Sequence, residues 1–477
     1  MRLFKNNICP LALTLFFVSS CSLEPISKTP NVIFILTDDM GFSDLGSYGS
    51  KMINTPNLDL LASEGALLNS YYSSQAVCSA SRASILTGSY PNRIGISGAL
   101  GPNSKTGINP NEFLMSEMFK QQGYNTAIYG KWHLGDNPKF LPTNHGFDDF
   151  YGILYSNDMW PYHPERPDSY PDLMLYDYDK PIEVLTDQSD LTMELTNKSI
   201  SFIEKNKDDP FFLYLAHPQP HVPLFASSEF KGRSDYGLYT DVIEEIDNSV
   251  GLIIKSLKEN KLDRNTIVVF TSDNGPWLSY GDHAGSTGIY REGKGTTWEG
   301  GQRVPCIVWY PNEIESNTVL STPFMGIDWL PTFAKLTNST LSKNKIDGKN
   351  IWENLTGKTF EDPHEALFFY YHKNSLHAVR YGDYKMYFPH RYRTLNGKKG
   401  RDDGQPIKYE YVNLLSEELY NLKTDPSETN NIINDCNLFK KLMEEKNTEI
   451  LYIDGLGNYR FNESLINANF LEKKLDL

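Results

Sequence analysis

The stretch Asn31-Val32-Ile33-Phe34-Ile35-Leu36-Thr37, running straight into Asp38-Asp39-Met40-Gly41, decides the fold of this chain. An unbroken apolar, β-branched run of this kind reads as a strand buried on both faces, as in a parallel sheet. Three later runs repeat the design. Thr126-Ala127-Ile128-Tyr129-Gly130 leads into Lys131-Trp132-His133, and Phe211-Phe212-Leu213-Tyr214-Leu215-Ala216 leads into His217-Pro218-Gln219-Pro220-His221. Thr266-Ile267-Val268-Val269-Phe270-Thr271 leads into Ser272-Asp273-Asn274-Gly275. Helical spacing lies between these runs, at 58–67, 112–122, 191–204 and 235–257. The alternation predicts an α/β fold: a doubly wound, mostly parallel central sheet flanked by helices. Ligands bind beyond the carboxyl ends of such strands. Four strand ends, distant in sequence, should therefore deliver their polar residues to one rim.

From about residue 365 the pattern changes to short strands at 366–371, 377–380 and 385–388, followed by a closing helix at 438–450. The chain thus divides into a signal peptide (1–20), a linker (21–30), an N-terminal α/β domain (31–364) and a smaller C-terminal subdomain of antiparallel sheet plus helix (365–477). Arg2 and Lys5 precede an apolar run at 8–18 that is too short for a membrane span of ~20 residues. Val18-Ser19-Ser20-Cys21 resembles a bacterial lipobox, in which Cys21 is lipidated and becomes the first mature residue; a plain secretory signal is the alternative. The reading is an exported lipoprotein of the bacterial cell envelope, at the periplasm or outer membrane surface, that meets a membrane only through its lipid anchor. A formal net charge of -15 over 477 residues argues against nucleic acid as a partner. Beyond the leader only Cys78, Cys306 and Cys436 remain. No disulfide framework is expected, although Cys306 and Cys436 could pair.

At the predicted rim, Asp38 and Asp39 with Asp273 and Asn274 offer four hard oxygen donors, a set suited to Ca²⁺ or Mg²⁺. Lys131 and Lys294 are each flanked by glycine, which lets backbone approach a ligand closely. His221 lies between prolines after a buried strand, with a pKa range suited to donating a proton. In Cys78-Ser79-Ala80-Ser81-Arg82, a helix opening at Cys78 would place Arg82 one turn on, on the same face, and the Cys at an anion-favouring N-terminus.

Cys78-Ser79-Ala80-Ser81-Arg82, with the run ending in Thr87-Gly88, resembles the signature of the type I (formylglycine-dependent) sulfatases, which share the alkaline phosphatase superfold. Gly130-Lys131-Trp132-His133-Leu134-Gly135 and Gly293-Lys294-Gly295-Thr296-Thr297-Trp298-Glu299-Gly300-Gly301 are similar to two further family motifs. The resemblance covers roughly residues 30–340 in order. It implies that Cys78 is oxidised to formylglycine (3-oxoalanine), whose hydrate attacks sulfur in line after Asp273 or the cation activates one hydroxyl. It further implies that Asp38, Asp39, Asp273 and Asn274 hold Ca²⁺, with Mg²⁺ as the alternative. Lys131, Lys294 and Ser156 would grip the sulfate, and Arg82 would hold the hydrate and the cation ligands in place. His221 would protonate the leaving oxygen, and His133 would take the proton that releases sulfate. Ala80 stands where Pro is commoner, which implies a radical-type maturase.

The implied function is a sulfatase acting on sulfate esters of an oligo- or polysaccharide, algal (ulvan, carrageenan) or host glycan. A phosphodiesterase or phosphonate monoester hydrolase of the same superfold is one alternative, and an inactive surface glycan-binding lipoprotein is another. Substrate contacts are expected from the segment 160–177 and from His283, Arg291, His390 and Arg391.

Overall fold

The computed structural model describes residues 29–341, 343–434, 451–453 and 459–461. The leader, Cys21, Cys436 and the helix expected at 438–450 lie outside the described residues. In chain order the strands of the larger unit are β1 (Asn31–Thr37), β2 (Ala66–Leu68), β3 (Tyr71–Tyr72), β4 (Asn125–Lys131), β5 (Asp149–Ile153), β6 (Met174–Asp177), β7 (Lys180–Val184), β8 (Phe211–Ala216), β9 (Thr266–Ser272), β10 (Cys306–Trp309), β11 (Thr318–Leu320) and β12 (Phe324–Met325). Ten of them form one sheet in the order β11-β2-β10-β9-β1-β8-β4-β5-β6-β7. Its heart, β9-β1-β8-β4-β5, is parallel throughout. Antiparallel β10 joins one side and antiparallel β6 the other.

Every residue of β1, β8 and β9 is buried, which is why their sequences carry no polar alternation. Helices cover both faces. Phe34 stacks on Tyr214 with ring centroids 5.5 Å apart and meets Trp329 edge-on. Phe119, from the helix Met115–Gln121, stacks on Phe212 of that same face. On the opposite face Phe202, from the helix Leu191–Lys205, packs against Phe211 and Tyr129. Each such side chain contributes about 1.5–3 kcal/mol by burial. Among the described residues, no helix is long and apolar enough to cross a membrane.

The helix expected at 58–67 is shorter: α1 spans Pro56–Ser63, and Ala66–Leu68 instead becomes β2, paired with β10 and β11. Gly65 lets the chain turn against the sheet, since a Cβ there would stand 2.4 Å from the Val308 carbonyl oxygen.

Strands β13 (Leu367–Tyr371), β14 (Ser375–Tyr381), β15 (Tyr384–Tyr387), β16 (His390–Thr394), β17 (Glu410–Leu414) and β18 (Glu418–Asn421) form the C-terminal subdomain. Here β13-β14-β15-β18 make an antiparallel sheet, and β16 pairs with β17 as a separate ribbon. A buried ionic seam joins the two units. Lys385 Nζ donates to Glu299 Oε1 and to the Thr297 carbonyl, both at 2.8 Å. Tyr72 OH donates to Glu299 Oε2 at 2.6 Å, and Arg303 Nη1 lies 3.2 Å from the same oxygen. The Glu299 N–H donates to Glu428 Oε2 at 2.9 Å, while Tyr387 OH donates to Glu428 Oε1.

Candidate active site

Because β1, β4, β5, β8 and β9 run parallel, their carboxyl ends open on one edge. Asp38 and Asp39 follow β1, Lys131 ends β4, Ser156 follows β5, His221 follows β8, and Asp273 and Asn274 follow β9. Facing them is α2 (Cys78–Thr87), which begins at Cys78 and is buried along its whole length. Small residues over its first two turns, with Ile85 and Leu86 beyond, let the helix lie so deep around Arg82. Two of its hydroxyls are satisfied within the helix: Ser84 Oγ donates to Ala80 O at 3.0 Å and Thr87 Oγ1 to Ala83 O at 2.7 Å. Gly88 ends it in the left-handed region at φ 65°. No side chain caps the N-terminal turn at Cys78, so that end carries the positive pole of the helix.

Arg82 is the organiser. Its Nε donates to Asp273 Oδ2 at 2.9 Å, its Nη1 to the Lys131 carbonyl at 2.8 Å, and its Nη2 lies 3.3 Å from Asp38 Oδ2. Lys131 Nζ bonds Asp38 Oδ2 and also donates to Ser156 Oγ at 3.1 Å. Lys294 Nζ donates to Asp39 at 2.7 Å, lies 3.4 Å from Cys78 Sγ, and sits 4.7 Å from the Trp277 ring centre. Cys78 Sγ is also 3.4 Å from Asp38 Oδ1. Asn274 Nδ2 donates to Asp39 Oδ1 at 2.6 Å, whereas Asn274 Oδ1 is buried without a partner in the protein. Ligand atoms of Asp38, Asp39, Cys78 and His221 all lie within 4.8 Å of one another.

The two rim histidines are held differently. His221 Nδ1 is 2.6 Å from the Val222 carbonyl oxygen, which fixes the proton there and leaves Nε2 3.6 Å from Asp39 Oδ2. His133, at φ 60°, binds the Leu100 carbonyl oxygen through Nε2 at 2.8 Å, leaving Nδ1 buried and unpartnered. Burial, with Lys131 beside it, holds the His133 pKa well below the usual imidazole range; burial and Lys294 lower that of His221 as well. Burial also pushes the Cys78 thiol far up, with the Asp38 carboxylate adding to it. Asp38 stays ionised: burial works against it, but Lys131, His221 and Arg82 more than offset that. Burial and the neighbouring Asp38 raise Asp273 to about 7.

The structure therefore gathers Cys78, Arg82, Lys131, His133, Ser156, His221, Lys294, Asp38, Asp39, Asp273 and Asn274 on one rim. Two of the expected substrate contacts, both half-buried, lie against aromatic rings. The Arg291 guanidinium lies 3.6 Å over Trp298 and donates to Tyr392 OH at 3.1 Å. His390 stacks on His377 with ring centroids 4.1 Å apart. Sequence reasoning missed Trp277, whose ring borders both His221 (5.6 Å between centroids) and Lys294. It also missed Asp158, buried with His163 Nε2 3.5 Å away. Its neighbourhood to Ser156 was the available signal.

Comparison with known proteins agrees with this geometry. A "Sulfatase" family model matches residues 30–339, and a model of the "C-terminal region of aryl-sulfatase" matches 362–451. A model of "GH149 phosphorylase insertion domain 2" matches 428–477, mostly outside the described residues. N-acetylgalactosamine-6-sulfatase of Canis lupus familiaris is 38% identical over 379 residues, which is 76% of this chain and 72% of that protein. Arylsulfatase of Hemicentrotus pulcherrimus is 38% identical over 406 residues, covering 81% and 72%. The solved structure of Ps i-CgsB in complex with k-i-k-neocarrahexaose superposes with TM-score 0.73 at 28% identity, covering 94% of this chain and all of that one (100%). A rim of this make-up, on a sheet of this order, with relatives at this level, has one reading: the chain belongs to the sulfatase family, with its alkaline phosphatase-like fold, and is a sulfuric ester hydrolase.

Proposed function

We propose that this chain removes sulfate from a sulfated oligo- or polysaccharide, with Cys78 acting as formylglycine beside a divalent cation held by Asp38, Asp39, Asp273 and Asn274. The observation that carries the reading is the packing of ligand atoms from Asp38, Asp39, Cys78 and His221 within 4.8 Å of one another, between two lysine ammoniums.

The donor set fits a hard cation such as Ca²⁺ or Mg²⁺: it is buried, rich in carboxylate oxygen, and includes an Asn274 Oδ1 that no protein donor uses. Such an ion supplies positive charge that polarises the S–O bonds. The thiol environment supports the modification. Held protonated by burial, an unmodified Cys78 is a poor nucleophile, whereas a hydrated aldehyde offers a hydroxyl at the same place. Lys131, with Ser156 beside it, and Lys294 would grip the sulfate oxygens and stabilise charge developing on them. Arg82 ties the Asp38 and Asp273 carboxylates into one frame. His221, with Nδ1–H anchored on the Val222 carbonyl, presents Nε2 to the leaving sugar oxygen; it would give a proton there as the imidazolium, a form that burial and Lys294 oppose and the adjacent Asp39 carboxylate favours. His133 is poised as a base, since its Nε2–H is committed to Leu100 O and its lowered pKa keeps Nδ1 unprotonated.

The carbohydrate assignment is supported by the names of its relatives, an N-acetylgalactosamine-6-sulfatase among them, and by a neighbour bound to neocarrahexaose. Lipidation of Cys21 would tether the enzyme at the cell envelope, and metabolic labelling with a fatty acid, lost in Cys21→Ser, tests that. The function itself is tested on protein purified from its native host. The Cys78 peptide should weigh about 18 Da less than the thiol form, and the enzyme should release sulfate from sulfated oligosaccharides. An unmodified thiol with no sulfate release, or faster turnover of an aryl phosphodiester than of an aryl sulfate, sinks the proposal.

A further inference from the structure

The structure assigns Arg393, on β16 of the C-terminal subdomain, as a positioning residue for Lys294, an inference that rests on the sulfate-gripping role proposed for that lysine. Lys294 stands in a loop with little regular structure of its own. Glu292 and Gly295 on either side of it are in the left-handed region, at φ 58° and 82°. Such a loop does not hold a course by itself; its neighbours must hold it. Two bonds come from the α/β domain: the Lys294 N–H donates to Pro276 O and the Gly295 N–H to Ala76 O, both at 2.9 Å.

The Lys294 carbonyl is held from the other subdomain. Arg393 donates to it through Nε at 2.9 Å and also through Nη2. A planar guanidinium offering two parallel donors fixes both the distance and the orientation of that peptide. Arg393 is itself steadied by its stacking 4.4 Å over Tyr409, and its guanidinium carbon lies 5.8 Å from the Trp277 ring that also faces the Lys294 ammonium. Next along the strand, Thr394 Oγ1 donates to Glu292 Oε1 at 2.7 Å. Gly295 completes the fit: a Cβ there would stand 2.5 Å from Arg393 Nε, so the guanidinium occupies the space that any side chain would need. Arg393 therefore touches no reacting atom. It acts on the ammonium through the backbone of the residue that carries it. A shift of about 1 Å in such a group can cost on the order of a hundredfold in rate.

The test is a double-mutant cycle on the full-length, formylglycine-bearing enzyme, combining Arg393→Ala with Lys294→Ala. Four quantities are read: kcat and KM on a small aryl sulfate, binding of inorganic sulfate by calorimetry, Tm, and the mass of the Cys78 peptide. Arg393→Ala alone should lower kcat/KM by roughly 10–100-fold and weaken sulfate binding, with Tm and the peptide mass little changed. In the Lys294→Ala background the same substitution should cost less than about twofold. Arg393→Lys, which keeps one donor, should recover part of the loss, and it carries the comparison if the alanine variant does not fold. Full activity in Arg393→Ala, or losses that multiply independently of Lys294, overturns the assignment. If Lys294→Ala alone changes neither rate nor sulfate binding, the role proposed for Lys294 falls and takes this one with it.

Discussion

The rim and the seam are both buried charge clusters, built on the same plan for different ends. Each pairs one carboxylate held strongly acidic with one raised to about 7. On the rim these are Asp38, lowered, and Asp273. In the seam they are Glu299, which burial would raise but which Lys385 and Arg303 bring down to about 2, and Glu428. The difference is in what is left over. In the seam the charged groups of Lys385, Glu299 and Glu428 all find protein partners, drawn from both sides of the subdomain boundary. On the rim Asn274 Oδ1 and His133 Nδ1 are buried with no partner in the protein. Each such atom costs about 1–3 kcal/mol. A cluster that only joins two units has no reason to bear that cost. One that must receive a ligand does.

Substitutions can break the comparison. Cys78→Ala should reduce sulfate release to background while leaving Tm within a few degrees, at about 1 °C for each kcal/mol in a protein of this size; measurable turnover would remove the nucleophile from the rim. Lys385→Met strands Glu299 in the seam and should cost about 3–5 kcal/mol of stability, read by thermal unfolding. The same variant should lose less than about tenfold in turnover per folded molecule, because no reacting atom is touched. Lys294→Ala should do the reverse, lowering kcat by roughly 10²–10³ with little loss of stability. If the two lysine variants behaved alike, the division of labour would be wrong.

The smallest effect is in pH. Burial and Glu299 raise Glu428 from 4.5 to about 7, with Lys385 opposing. A carboxyl whose folded pKa is raised contributes stability that is full below the unfolded pKa and is lost as pH climbs towards the folded one. Wild type should lose that contribution between about pH 4.5 and 7, whereas Glu428→Gln has no proton to lose. The Tm deficit of the variant should narrow between pH 5 and pH 8, by the equivalent of about 1 kcal/mol or more; a constant gap would mean that Glu428 does not titrate there.

The four apolar runs and the polar residues that end them were legible because a strand buried on both faces leaves an unmistakable sequence. The edges were not. Ala66–Leu68 reads as helix because three residues carry no period, and only Gly65 hints at the turn onto the sheet. The rim was readable where a motif surrounds the residue, as with Lys131 and Lys294. Arg393 left no such trace: its partner is a backbone carbonyl 99 positions away, and any sequence supplies a carbonyl. Arg291 and His390 look like free polar residues until the aromatic rings that cover them are seen.

The depth of α2 sets a deadline. Cys78 is 1% exposed, at the head of a helix with no exposed residue, so an enzyme carrying out the conversion proposed above would have to reach the thiol while the chain is still unfolded. Conversion and folding would then be in a race run once per molecule. A preparation would hold two populations, competent and permanently silent, in a ratio fixed during synthesis and untouched by anything done to the purified protein.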